Sequence, residues 1–238
     1  MIFRHIPNFL TLCNLLCGCA GLVAVADGRL EHAAYFIWGA AAFDFADGLA
    51  ARALKAYSPI GADLDSLADM VSFGALPGFI VFQLIRQAPA TADGGEVWAY
   101  AGFSIAVFAA LRLAIFNVDT RQKDQFIGLP VPASALLISS LPLGTLPAFQ
   151  QLVSQPLVLI LVAAAVSYMM VAPVPLLAFK FNQMAWRGNE VKFTFLIVAL
   201  LLFVFLKIVA IPIIIVAYIL LSVVLNASGN KPADHRTK

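Results

Sequence analysis

Residues 43–69 read FDFADGLAARALKAYSPIGADLDSLAD, and they set four carboxylates, Asp44, Asp47, Asp65 and Asp69, into a chain that is otherwise mostly apolar. An ionised Asp near the middle of a membrane helix costs roughly 2.5–3.5 kcal/mol on insertion scales, so four together cost on the order of 10 kcal/mol unless something positive sits among them. Helical spacing places Asp44, Asp47, Gly48 and Ala51 on one stripe and stacks Asp65 and Asp69 one turn apart on a second helix. Hard oxygen ligands with no Cys or His nearby suit Mg²⁺ or Mn²⁺ rather than zinc or copper. Gly48 and Ala51 leave room on the same stripe, and Arg52 adds a planar cation matched to phosphate oxygens. Metal, gap and guanidinium together point to a phosphate ester.

The rest of the chain sets this stretch in a bilayer. Of 238 residues, 62% are hydrophobic and 12% charged, with a mean hydropathy of +0.92. A soluble domain carries about twice that charge fraction, so the class is integral membrane protein. A net charge of +2 with scattered basic residues gives no nucleic-acid footprint. Cys13, Cys17 and Cys19 crowd one apolar segment without zinc spacing and read as small helix residues. No cleavable leader is expected.

A span of about 30 Å needs about 20 apolar residues. Eight segments meet this, near 7–26, 31–53, 64–86, 97–117, 131–149, 155–178, 191–207 and 209–226. The last two come from one apolar run broken by Lys207 and Pro212, long enough for a tight hairpin. With the N-terminus inside, 11 Lys and Arg fall on the cytoplasmic side and Arg29, Arg86 and Lys207 on the other, leaving Arg112 within a span. The expectation is an all-α polytopic helix bundle of about eight transmembrane helices with both termini cytoplasmic. Residues 1–226 form one transmembrane domain and 227–238 a short polar tail. The carboxylates then open towards the cytoplasm, where a water-soluble alcohol has access and a lipid enters sideways from the inner leaflet.

The spacing Asp44-x2-Asp47-Gly48-x2-Ala51-Arg52-x8-Gly61-x3-Asp65-x3-Asp69 resembles the complete signature of the CDP-alcohol phosphotransferases, integral membrane enzymes that move a phosphatidyl or similar group from a CDP-linked donor to an alcohol. The resemblance implies a site for two divalent cations, with Asp44, Asp47 and Asp65 as ligands and Asp69 as both ligand and general base. A homodimer is implied by resemblance too, and the small residues Gly39-Ala40-Ala41-Ala42 permit close helix contact.

Asn8, Thr11 and Asn14 recur at intervals of three on the first segment. On residues alone they are as well read as polar groups aiding helix packing. By the resemblance, Asn8, Thr11 and Ser58 lie beside the nucleotide and join Gly48 and Arg52 in binding CDP-diacylglycerol. Arg112, a turn inside the fourth span, needs an anionic partner, either the carboxylates, a ligand or a structural ion pair. Asn117 and Gly128-Leu129-Pro130-x-Pro132 follow, with Gly and Pro fixing a rigid turn before the fifth span. With Arg121, Arg112 and Asn117 are the acceptor-side candidates.

The run RLAIFN, then FIGLPVP, together with the N-terminal PNFLTLCNLLCG, is similar to the phosphatidylserine synthases of bacterial membrane type over residues 6–135. That likeness implies L-serine as acceptor and a bacterial inner membrane. One departure is Ile115, where those proteins usually carry Arg. An acceptor such as glycerol 3-phosphate or an inositol phosphate keeps the chemistry and stays open. A cation transporter, the reading from another class, finds no second broken acidic pair. Asp63 reads as a helix-start residue, and His5, His32 and His235 are not placed to serve as base.

Overall fold

Apolar runs punctuated by Pro and Gly fold into helices, several of which begin or stop at those residues. The computed structural model describes residues 5–56, 58–88, 96–119, 126–176 and 189–227. Helix α1 spans Ile6–Ala26 and α2 spans Leu30–Leu54. Pro7 opens α1, where its missing N–H costs nothing. Lys55 ends α2 in the left-handed region, φ 49°. Next come α3 (Gly61–Asp69), a π-helical turn (Met70–Ala75) and α4 (Leu76–Gln87), one continuous helical run.

Helix α5 (Glu96–Ala99) leads through a 3₁₀ turn (Tyr100–Phe103) into α6 (Ser104–Val118). Then follow α7 (Val131–Leu143), α8 (Pro147–Val153), α9 (Pro156–Val171), α10 (Glu190–Leu206) and α11 (Ala210–Ala227). The one departure from an all-α chain among the described residues is a pair of two-residue strands, β1 (Phe126–Ile127) antiparallel to β2 (Pro175–Leu176).

Helix α1 shows how the bundle is built. Thr11, Asn14, Gly18, Gly21 and Val25 recur at alternating intervals of three and four and are buried, while Phe9, Leu12, Leu16 and Val23 on the other face are exposed. In an integral membrane protein that outer stripe meets lipid. The buried stripe packs on α2 and the π turn, closely enough that a β-carbon on Gly18 would come within 3.0 Å of the Ser72 Cα. Gly39 faces α1 at Cys17 and Ala40 is fully buried, so part of the small-residue stretch expected to permit contact between chains is used within this one.

Among the described residues, four helical runs are long and apolar enough to cross a bilayer, Ile6–Ala26, Gly61–Gln87, Glu96–Val118 and Glu190–Asn226, or five if the bent α7–α8 pair is one span. The departures from eight uniform spans have separate causes. Helix α2 has 25 residues, about 37 Å, but carries the acidic stripe. The segment expected at 131–149 is bent by 113° between α7 and α8, because Pro142, Gly144 and Pro147 interrupt its hydrogen bonding. The segment expected at 155–178 stops being helical at Val171, where Pro173 and Pro175 cannot continue a helix.

The run Glu190–Asn226 is not straight. The rings of Phe195 and Tyr218 are 6.1 Å apart, whereas one straight helix would separate them by about 35 Å. The chain turns back at Lys207, φ 50°, as the hairpin expected from the sequence.

Cross-ties collect the helix ends at two levels. At one, Asn8 reaches Ser58, Asn117 reaches Ser66, Gly128 N–H donates to Val174 O at 2.8 Å, and Asn226 Nδ2 donates to Pro175 O. Gly128 adopts φ 79°, and a β-carbon there would meet the Met170 carbonyl, so the expected rigid turn before α7 requires glycine. At the other level, Pro142 and Leu84 border Gly28–His32, and Leu143 borders Lys207.

Candidate active site

Three helices bring the acidic residues together. Helix α2 supplies Asp44 and Asp47, α3 supplies Asp65 and Asp69, and α1 lies against both with its polar stripe. Carboxylate oxygens of Asp44, Asp47 and Asp65 all lie within 4.8 Å of one another. Asp69 stands outside that trio, one turn beyond Asp65, and is buried like Asp47. No ion pair among the described residues reaches any of the four, so the positive partner expected among them is not a described side chain.

The donor set fits a hard divalent cation. Three carboxylates converge, and Asp65 Oδ1 is buried with no hydrogen-bond donor. An anionic oxygen left that way is costly unless a cation occupies the space.

Helix α1 orients the carboxylates. The Thr11 hydroxyl lies 2.6 Å from Asp47 Oδ2 and 3.1 Å from the Pro7 carbonyl. Its single hydrogen goes to the shorter, charge-assisted contact. Asn14 Nδ2 donates to Asp69 Oδ1 at 3.0 Å. Helix α3 begins at Gly61, earlier than expected, so Asp69 sits at its last turn, beyond the reach of the N-terminal dipole. The Asn14 amide supplies locally what the dipole cannot. Asn14 has a polar partner 55 residues away, and only its interval of three from Thr11 could have signalled it.

Around this cluster, Asn8 Nδ2 donates to Ser58 Oγ at 3.2 Å, joining two residues expected on the nucleotide side. Arg52 is exposed and folds over Gly48, where a β-carbon would lie 3.6 Å from its guanidinium. The small residue and the cation thus border the same space, as the spacing predicts. Asp63, exposed in the first turn of α3, fits its reading as a helix-start residue.

On α6, Asn117 Nδ2 donates to Ser66 Oγ at 2.9 Å, beside Asp65, which brings one acceptor-side candidate to the cluster. Arg112 is buried, its guanidinium 5.4 Å from the Phe116 ring centroid, a cation–π distance. Gly74 meets Ala109 and Ser66 meets Asn117, so α6 runs antiparallel to α3 with Arg112 level with the start of the π turn. Arg121 and Lys123 lie outside the described residues. Ile115 is exposed in line with Leu111 and Val118, on the outer side of α6. A rare π turn follows Asp69 directly, and such turns recur at functional sites.

These observations define an integral membrane protein with an acidic cluster between its first three helices. The chain belongs to the CDP-alcohol phosphatidyltransferase family, whose model matches residues 4–176. It is 28% identical over 178 residues to the CDP-diacylglycerol–serine O-phosphatidyltransferase of Bacillus subtilis, covering 74% of this chain and 92% of that one. It is 30% identical over 134 residues to the Helicobacter pylori protein of the same description, covering 56% and 54%. It is 32% identical over 140 residues to the archaetidylserine synthase of Methanothermobacter thermautotrophicus, covering 58% of each. The chain thus spans nearly the whole Bacillus relative and about half of the other two.

Proposed function

We propose that this enzyme transfers a phosphatidyl group from CDP-diacylglycerol to the hydroxyl of L-serine, giving phosphatidylserine and CMP, at the cytoplasmic face of a bacterial inner membrane. The observation that carries the chemistry is the convergence of Asp44, Asp47 and Asp65 with no ion-paired side-chain cation among the described residues; the acceptor rests on the serine transferases among its relatives. Residues 1–226 act as one transmembrane domain of eight traverses, with the tail 227–238 and both termini cytoplasmic. By resemblance, two such chains form a homodimer.

Asp44, Asp47, Asp65 and Asp69 would hold two divalent cations, Mg²⁺ or Mn²⁺. When bound, these supply Lewis-acid charge to the donor's pyrophosphate. Arg52 clamps phosphate oxygens over Gly48, and Asn8, Thr11 and Ser58 border the nucleotide. Arg112, Asn117 and Arg121 orient the serine, whose carboxylate a guanidinium matches. Asp69 accepts the serine hydroxyl proton as the serine oxygen bonds to the lipid-side phosphorus. The bond from that phosphorus to the CMP oxygen breaks, and CMP leaves with the electron pair. Direct displacement is favoured because, among the described residues, no Cys or His joins the cluster as a nucleophile.

The test is CMP release from CDP-diacylglycerol by purified protein in detergent with Mg²⁺ or Mn²⁺, adding serine, glycerol 3-phosphate and an inositol phosphate separately. Serine-dependent release that disappears with chelator is the expected result. Release with another alcohol alone overturns the acceptor and keeps the acidic site.

A further inference from the structure

Asn14 has no exposed surface. Its backbone ties α1 to the π turn, where Ser72 Oγ donates to the main-chain carbonyl of Asn14 at 2.9 Å and Gly18 lies against Ser72. The amide instead turns to Asp69. A carboxylate only accepts, so the nitrogen must face Asp69 Oδ1 and the carbonyl oxygen must face away. That oxygen, Asn14 Oδ1, is buried and meets no hydrogen-bond donor. Amide geometry keeps it within about 5 Å of the Asp69 oxygen. An acceptor buried among carboxylates without a donor is destabilising, so the site holds it for a donor that comes from outside the chain.

The geometry points to Asn14 as the positioning residue of the acceptor half of the site. Its N–H holds one oxygen of Asp69 and leaves the other for the reaction, while its carbonyl takes a hydrogen bond from the incoming alcohol, through the hydroxyl or an ammonium beside it. This rests on the reading of Asp69 as the base. A carbonyl in that place favours an acceptor rich in donors over an anionic one.

The experiment compares wild type, Asn14→Ala, Asn14→Leu and Ser72→Ala as full-length proteins in detergent. It reads kcat and KM for serine, CDP-diacylglycerol affinity by calorimetry with Mn²⁺, and unfolding temperature. Both Asn14 variants are expected to lose about 10- to 100-fold in kcat/KM for serine, the scale of one hydrogen bond to a charged group plus one to substrate. Measured at saturating Mn²⁺, their CDP-diacylglycerol affinity stays within about twofold of wild type, and the kinetics and affinity of Ser72→Ala stay within about twofold.

Unchanged serine kinetics in Asn14→Leu overturns the assignment. Lost CDP-diacylglycerol affinity overturns it also, placing Asn14 with the donor or, if unfolding temperature falls too, with packing alone. If wild type responds to a different alcohol, the acceptor reading has failed, and the same comparison with that alcohol decides on Asn14 separately.

Discussion

Thr11 and Asp69 divide the work at the residue scale. Thr11 gives its only hydrogen to Asp47, so Thr11→Val, which keeps the shape, takes the side-chain donor from a buried carboxylate. A hydrogen bond to a charged group is worth about 1.5–3 kcal/mol, so the Mn²⁺ concentration for half-maximal activity should rise about tenfold or more while the protein stays folded. A metal titration of CMP release checks this. Asp69→Asn should abolish transfer, because the amide cannot take the serine proton; substantial residual turnover in a folded variant would remove Asp69 as the base. The four aspartates were legible because carboxylates cost too much in an apolar chain to recur at fixed spacing without a shared ligand. The roles of Asn14 and Ser66 were not, since each is defined by a partner on another helix, and sequence periodicity reports a face without naming what lies opposite.

Two helical glycines separate packing from ligand space at the scale of the element. A β-carbon on Gly18 would come 2.4 Å from Ser72 Oγ and 3.0 Å from its Cα, so Gly18→Ala must push α1 away from the π turn. Overpacking of this kind costs about 1–3 kcal/mol, and since α1 also carries Thr11 and Asn14, unfolding temperature and activity should fall together. A β-carbon on Gly48 would meet nothing nearer than the Arg52 guanidinium at 3.6 Å. Gly48→Ala should therefore leave the fold as stable or more so, by about 0.5–1 kcal/mol of helix propensity, while KM for CDP-diacylglycerol rises. Parallel losses in both variants would remove the phosphate space from above Gly48. The sequence located these helices by apolar length, and it misjudged α7–α8 and α9 because length measures greasiness and not continuity. Pro142, Gly144 and Pro147 bend one segment, and Pro173 with Pro175 ends the other, without lowering its hydropathy.

Topology at the scale of the whole molecule turns on the last hairpin. The cross-ties place the ends of α2, α6, α9 and α11 and the starts of α1, α3 and α7 at the carboxylate level, the alternation expected of the eight traverses we propose. Were Glu190–Asn226 a single crossing, its end would lie at the opposite face. Asn226 instead donates to Pro175, next to β1 and the turn that opens α7. The charge count agrees, since 11 of the 15 Lys and Arg are assigned to the cytoplasmic side against Arg29, Arg86 and Lys207 on the other. A background with Cys13, Cys17 and Cys19 changed to Ala allows single cysteines at Arg29, Lys55 and Lys207 to be probed in intact cells with a membrane-impermeant maleimide. Arg29→Cys and Lys207→Cys should react from outside, and Lys55→Cys only after the membrane is opened. Protection of Lys207→Cys in intact cells, with Arg29→Cys reactive, would mean that α10 does not cross, which would leave six or fewer traverses and detach the last hairpin from the domain proposed for residues 1–226.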